Sequence, residues 1–195
     1  QADKRFNPLT GQGATLTLAD NRITAQTGLI EPESGRTIAQ TSISHNLGSG
    51  TGFADLLVPG ITFDDHLQPG ALTHLTDGVI ALAKGTLRGS GRIDWTAEQV
   101  SSSGTFSTDS LDFAAAFGPV TGLAGEIVFI DLLGFETGPG QVVRLAQVNP
   151  GIPLFAATFD PSLELTSDFA GTLLQAAQSA FNVVGVGLFL ALLCA

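Results

Sequence analysis

Gly85-Thr-Leu-Arg-Gly-Ser-Gly-Arg-Ile-Asp-Trp-Thr96, followed by Val100-Ser-Ser-Ser-Gly-Thr-Phe-Ser-Thr108, decides the fold. From Lys84 onward every second residue is polar: Lys84, Thr86, Arg88, Ser90, Arg92, Asp94 and Thr96. The residues between them are apolar or glycine: Gly85, Leu87, Gly89, Gly91, Ile93 and Trp95. In the second run Val100, Ser102, Gly104 and Phe106 share one face, and Ser101, Ser103, Thr105 and Ser107 the other. Successive side chains of a strand point to opposite faces, so the spacing predicts two half-wet strands. Ala97-Glu98-Gln99 is short enough to close them into a hairpin. A strand of roughly eleven residues spans roughly 36 Å, longer than the usual five or six residues.

Strand signals continue on both sides. Upstream they are Ala14–Leu18, Arg22–Gln26, Thr37–Leu47 and Phe53–Val58, the last stopped by Pro59-Gly60. Residues 61–77 break the alternation, and Ala71–Leu75 reads as one helical turn or a loop. Gly78–Leu87 runs straight into the opening hairpin. Leu111–Phe117 reads as a short helix or an edge, Leu123–Asp131 as a strand, Gln141–Val148 as a strand or short helix, and Ile152–Phe159 as a further segment after the Asn149-Pro-Gly151 turn. Without strand–helix alternation, no parallel doubly wound sheet is expected. The reading is mainly β: an antiparallel meander or partly rolled sheet with one apolar face, which on alternation alone suits the core of a β-sandwich better than an open groove. It divides the chain into a sheet unit over residues 1–160 and an atypical tail over 161–195. From Phe169 to Ala195 there is no charged residue, and Leu173, Ala177, Ala180 and Val184 recur at helical spacing. The tail is therefore expected to be hydrophobic and helical, or not native to the sheet.

Composition narrows the function. The 195 residues are 44% hydrophobic and 13% charged, with a net charge of −10. That balance argues against nucleic acid, whose phosphates require clustered Lys and Arg. The single cysteine, Cys194, can form neither an internal disulfide nor a thiolate metal framework. A chain that starts with Gln and has no Met reads as a fragment or processed product. Gln1–Pro8 is polar and does not read as a signal peptide, so a targeting segment would lie elsewhere.

Sites of chemistry are weakly signalled. Asp64, Asp65, His66 and His74 are the best metal-like group, but they read as a solvated loop, and no metal or cofactor is expected. Asp131 and Glu136 flank a glycine loop; acid–base work is one reading, and Asp131 as the anchor of a turn is preferred. Gly48-Ser-Gly-Thr-Gly52 and Gly89-Ser-Gly91 lack a P-loop lysine, and no Gly-x-Ser-x-Gly elbow occurs. The chain is expected not to be an enzyme.

Five stretches occur in an order that resembles a known family: Gly89-Ser-Gly-Arg-Ile-Asp-Trp95, Phe113-Ala-Ala-Ala-Phe-Gly-Pro-Val-Thr-Gly-Leu123, Phe129-Ile-Asp-Leu-Leu-Gly134, Thr137-Gly-Pro-Gly-Gln141 and Asn149-Pro-Gly-Ile152. They look like the YdbH-type, AsmA-like proteins of Gram-negative bacteria, formerly labelled a "dicarboxylate transport" domain. The resemblance covers roughly residues 37–154. It implies a section of a long periplasmic bridge, anchored in the inner membrane through a part absent from this chain. The resemblance implies a long antiparallel, curved sheet forming part of a hydrophobic groove that conducts phospholipids, and inner- and outer-membrane or envelope partners. No catalytic residues are implied. The residues expected to hold acyl chains are Leu87, Ile93, Trp95, Phe106, Ile127 and Phe129. Two other readings stand beside it. One is a closed β-sandwich scaffolding or adhesion module. The other is an accessory domain for dicarboxylate transport, for which Arg88 and Arg92 on the wet face are the candidate cations.

Overall fold

The computed structural model describes residues 7–116, 118–134, 136–149 and 154–159. The expected tail, residues 161–195, lies outside them. The strands are β1 (Thr10–Ala19), β2 (Arg22–Ile30), β3 (Thr37–Asn46), β4 (Thr51–Phe63), β5 (Ile80–Trp95), β6 (Val100–Ala115), β7 (Gly118–Asp131), β8 (Glu136–Thr137), β9 (Val143–Val148) and β10 (Leu154–Phe159). They form one antiparallel sheet in the order β1-β2-β3-β4-β5-β6-β7-β9-β10, with β8 also pairing with β7. Among the described residues β1 and β10 do not pair with each other, so the sheet is open.

The opening hairpin is the middle of this sheet. β5 and β6 each run for 16 residues, which at about 3.3 Å per residue makes strands of roughly 50 Å. Two expected boundaries move. Pro59-Gly60 does not stop β4, which continues to Phe63; it sits in an irregularity of the β4–β5 register between Val58 and Ile61. A proline without an N–H is tolerated at such an unpaired position. The Leu111–Ala115 stretch is neither helix nor edge but the second half of β6, paired on both sides. Gln141–Val148 resolves as strand from Val143, and residues 69–71 and 74–76 form two 3-10 turns.

Register shifts fall on neighbouring strands at the same level. They lie between Val58 and Ile61 in β4, between Gly85 and Leu87 in β5, and between Thr108 and Leu111 in β6. The row Ile61–Leu87–Thr108–Gly125 borders all three. A bulge bends its strand and increases local twist, so bulges in register form a crease across the sheet. Gly85 lies in it with φ +140°, and a Cβ there would stand 2.3 Å from the Ser110 carbonyl oxygen.

Side-chain amides repair the ladder where strands fail to meet. At a second irregularity of β5, between Ala81 and Lys84, Gln68 behaves like a strand segment. Its Nε2 donates to the Ala83 carbonyl at 2.9 Å, and the Ala83 N–H donates to its Oε1 at 2.8 Å. Gln141 does the same for Val128, accepting from its N–H and donating to its carbonyl at 2.8 Å. Each amide bonds both backbone groups of one strand residue; the Val128 carbonyl also accepts from the Gly138 N–H at 3.0 Å.

Arg36 and Asp64 tie the segment before β3 to the loop after β4. Their two hydrogen bonds measure 3.0 and 2.6 Å. The Arg36 guanidinium, helped by the His66 backbone N–H, lowers the Asp64 pKa from 3.8 to about 2. A depressed carboxylate stabilises the fold above its unfolded value and loses that contribution as pH falls through the folded one. Acid titration from pH 4 to pH 2 is therefore expected to destabilise the native chain more steeply than Asp64→Asn. Parallel curves in circular dichroism melts would contradict this.

Candidate functional site

Alternation and crease together produce one apolar face. On it lie Leu56, Val58, Ile61 and Phe63 of β4, Leu87 and Ile93 of β5, Phe106 and Phe113 of β6, and Leu123, Ile127 and Phe129 of β7, all buried in one cluster. Complete burial of a phenylalanine or leucine contributes about 1.5–3 kcal/mol. The loop between β4 and β5 adds Leu67 and Leu72 to the cluster, and the turn after β7 adds Leu132. The loop is held by Asn7, whose Nδ2 donates to the carbonyls of Gly70 and Ala71 at 3.1 Å each.

Five of the six expected acyl-chain residues lie in this cluster: Leu87, Ile93, Phe106, Ile127 and Phe129. Trp95 is half-buried and packs at its margin. Phe106 lies in register between Gly89 and Ile127 and meets Phe129 edge-on, with ring centroids 6.0 Å apart. Gly89 exists for that ring: a Cβ there would come within 2.3 Å of Phe106 Cδ1 and 2.7 Å of the Thr105 carbonyl oxygen. Trp95 lies over Gly52 in the same way, with an imagined Cβ 2.5 Å from its ring. Its Nε1 donates to His45 Nδ1 at 3.0 Å.

Toward the β1 end the same face is open. Register carries the row of Ile93 through Ala54, Ile43 and Ala25 to Leu16, and the row of Trp95 through Gly52, His45 and Ile23 to Leu18. Leu16 is 72% exposed and Leu18 61%. Val100, beside Trp95, is also exposed. The face is thus packed at β4–β7, half-covered at β2, where Leu29 is buried, and bare at β1. Sequence reasoning gave weight to the middle strands and missed this lip. The alternation of Ala14–Leu18 was its signal.

The other face carries charged and polar side chains in local pairs, together with exposed Leu57, Val128 and Ile130. Arg92 donates to Asp55 at 2.8 Å and to Asp94 at 2.9 Å, with its guanidinium 4.0 Å above the Phe53 ring centroid. Arg88 pairs with Asp109 at 3.2 Å. The two cations considered for a dicarboxylate therefore already have carboxylate partners. The metal-like group is dispersed in the same way: Asp64 holds Arg36, Asp65 lies 3.5 Å from Lys84, and His74 lies 3.1 Å from Asp77. Among the described residues no group of three or more His, Cys, Asp or Glu side chains could hold a metal ion. Asp131 anchors its turn, accepting from the Ser102 hydroxyl at 2.5 Å and the Leu133 N–H at 3.1 Å. The Ser102 bond and the backbone N–H groups of the turn, against the opposing effect of burial, hold its pKa below the ordinary carboxylate value.

A family model described as YdbH-like, Intermembrane phospholipid transport protein YdbH, matches residues 1–180. The chain belongs to the YdbH-like family. The match reaches beyond the stretch from 37 to 154 that carries the sequence motifs, at both ends. No curated protein and no solved structure matches the chain. The family is one of phospholipid transport between membranes, and it joins a mainly β, open, curved sheet here to that role. Among the described residues no helix is long and apolar enough to cross a membrane.

Proposed function

We propose that the apolar face of this sheet carries the acyl chains of phospholipids, as one section of a periplasmic bridge between the inner and outer membranes. In this reading the bridge is anchored through a part of the protein outside this chain, meets envelope proteins at its ends, and performs no catalysis. Leu87, Ile93, Trp95, Phe106, Ile127 and Phe129 form the floor, and Leu16 and Leu18 the lip by which lipid reaches it. One observation carries the reading: a single apolar face runs without a break in register from a buried cluster to leucines 72% and 61% exposed. Bare leucines on an edge strand are disfavoured in water, and hydrocarbon covering them gains about 0.8 kcal/mol per buried CH₂. The sandwich alternative lacks support because one open sheet, not two facing sheets, is present among the described residues. The dicarboxylate alternative lacks an unpaired cation at Arg88 and Arg92.

A photo-crosslinking residue tests the proposal best at the lip, since Phe106 and Ile127 are 0% and 2% exposed. Placed at Leu18 in the envelope of a Gram-negative cell, it is expected to give phospholipid adducts. At Thr17, which points to the opposite face, it is expected to give few. Equal yields at the two positions, or none at Leu18, would overturn the reading.

A further inference from the structure

Of the six floor residues, Trp95 lies beside the packed cluster rather than in it, half-buried at the hairpin end of β5. Its row in register runs Trp95, Gly52, His45, Ile23, Leu18, from β5 to β1. At about 4.8 Å per strand the row is roughly 19 Å long. The indole leans along it. It covers Gly52 of β4, where a Cβ would stand 2.5 Å from the ring, and it reaches His45 of β3. There the indole Nε1 donates to Nδ1 at 3.0 Å, and the two rings stack with centroids 5.9 Å apart. An indole N–H can only donate, so the imidazole is the acceptor. Beyond His45, Ile23 is half-buried and Leu18 is exposed. In the adjoining row Ala54 is buried beside Ile93. In this arrangement neither row gives hydrocarbon on the lip an open way to Ile93.

We propose that Trp95 is a gate latched by His45: an acyl chain entering over Leu18 lifts the indole off Gly52 to reach Ile93 and the cluster. This role rests on the acyl-chain reading above and adds the pair that controls entry. His45 is a positioning residue, acting through the indole. The latch is light, since one neutral hydrogen bond is a modest net tie, and no bond of the strand ladder depends on it. Lifting the ring leaves a slot at Gly52 where no side chain stands. It strands no buried acceptor, because His45 is half-buried and water can reach it. The pair's neighbours on this face, Gly52, Ile23, Ile43 and Ile93, are uncharged, so hydrocarbon can replace the indole without meeting a charge. Asp94, next to Trp95 in sequence, points to the opposite face and pairs with Arg92 at 2.9 Å.

Entry can be followed with a phospholipid carrying a nitrobenzoxadiazole label on one acyl chain, offered to the 195-residue chain from vesicles in which the label quenches itself. The initial rate of dequenching reads entry. His45→Phe keeps a stacking ring but accepts no hydrogen bond. It is expected to raise the initial rate about fivefold, the worth of one hydrogen bond, with the same amount bound at equilibrium. His45→Asn keeps an acceptor near the Nδ1 position and is expected to keep the native rate. Trp95→Phe loses the same bond from the other side and is expected to match His45→Phe, with the double variant adding nothing further. Trp95 is the only tryptophan, so its emission reports the ring, and in His45→Phe it is expected further to the red before lipid is added. If His45→Phe does not fold, Trp95→Phe against the native chain decides. Entry no faster than native in the variants that lack the bond, with lipid bound by both chains, overturns the gate and leaves the acyl-chain reading standing. No dequenching by the native chain overturns the acyl-chain reading itself, and the gate with it.

Discussion

Gly89→Val is expected to lower stability by about 3 kcal/mol in urea unfolding followed by circular dichroism, at the upper end for overpacking a core. The reason is geometric. The Cβ of any residue at 89 would fall 2.3 and 2.7 Å from two atoms of the Phe106 ring and 2.7 Å from the Thr105 carbonyl oxygen. The ring can be displaced only into a cluster where it is already fully buried. The carbonyl belongs to the adjacent strand and cannot turn away without disturbing the ladder. Gly89 has no positive φ that would confuse the result with backbone strain. Combining Gly89→Val with Phe106→Ala separates the two clashes. The double variant is expected to be more stable than the sum of the single effects, because the deleted ring no longer resists the new side chain. Simple additivity would mean that the ring is not what Gly89 accommodates.

The second large effect concerns function. Leu16→Asp with Leu18→Asp is expected to reduce the phospholipid that copurifies with the chain about tenfold, equal to about 1.4 kcal/mol of binding. Both side chains are more exposed than covered, so the fold is expected to lose less than about 1 kcal/mol, within the β-propensity range. Two carboxylates on the lip replace apolar contact with groups that hold water and repel lipid phosphate. Thr15→Asp with Thr17→Asp puts the same charge on the opposite face and is expected to leave copurifying lipid unchanged. Equal losses in the two pairs would show that edge charge, and not the apolar face, controls lipid content.

Period-two alternation was enough to find the sheet, because a face that alternates leaves little choice of secondary structure or of buried side. Leu87, Ile93, Phe106, Ile127 and Phe129 were legible as a set for that reason. The continuation of β4 through Pro59-Gly60 was not, because a proline that stops an ordinary strand is harmless at an irregularity, and the irregularity is set by the partner strand. Leu111–Phe117, expected as a short helix or an edge, hid the second half of β6 for a related reason. The two residues before Leu111, Asp109 and Ser110, shift the alternation by falling in a bulge. The roles of Gln68 and Gln141 have no local signature, since each amide serves a backbone segment distant along the chain. The lip at Leu16 and Leu18 was written in an alternating stretch, but only the order of strands shows that nothing among the described residues lies beyond it.

From β1 to β7 each strand pairs with the one before it and the one after it. The longest-range step in that run is the loop between β4 and β5; every other closure joins neighbours through a short turn. Closing short loops costs little entropy, and pairing that stays local allows a chain to fold quickly for a β protein. Stability then resembles that of a linear array, in which each hairpin is coupled chiefly to its two neighbours. A chain arranged in this way can gain or lose a hairpin at its end without rethreading the rest. Length becomes a property that evolution can adjust one strand pair at a time.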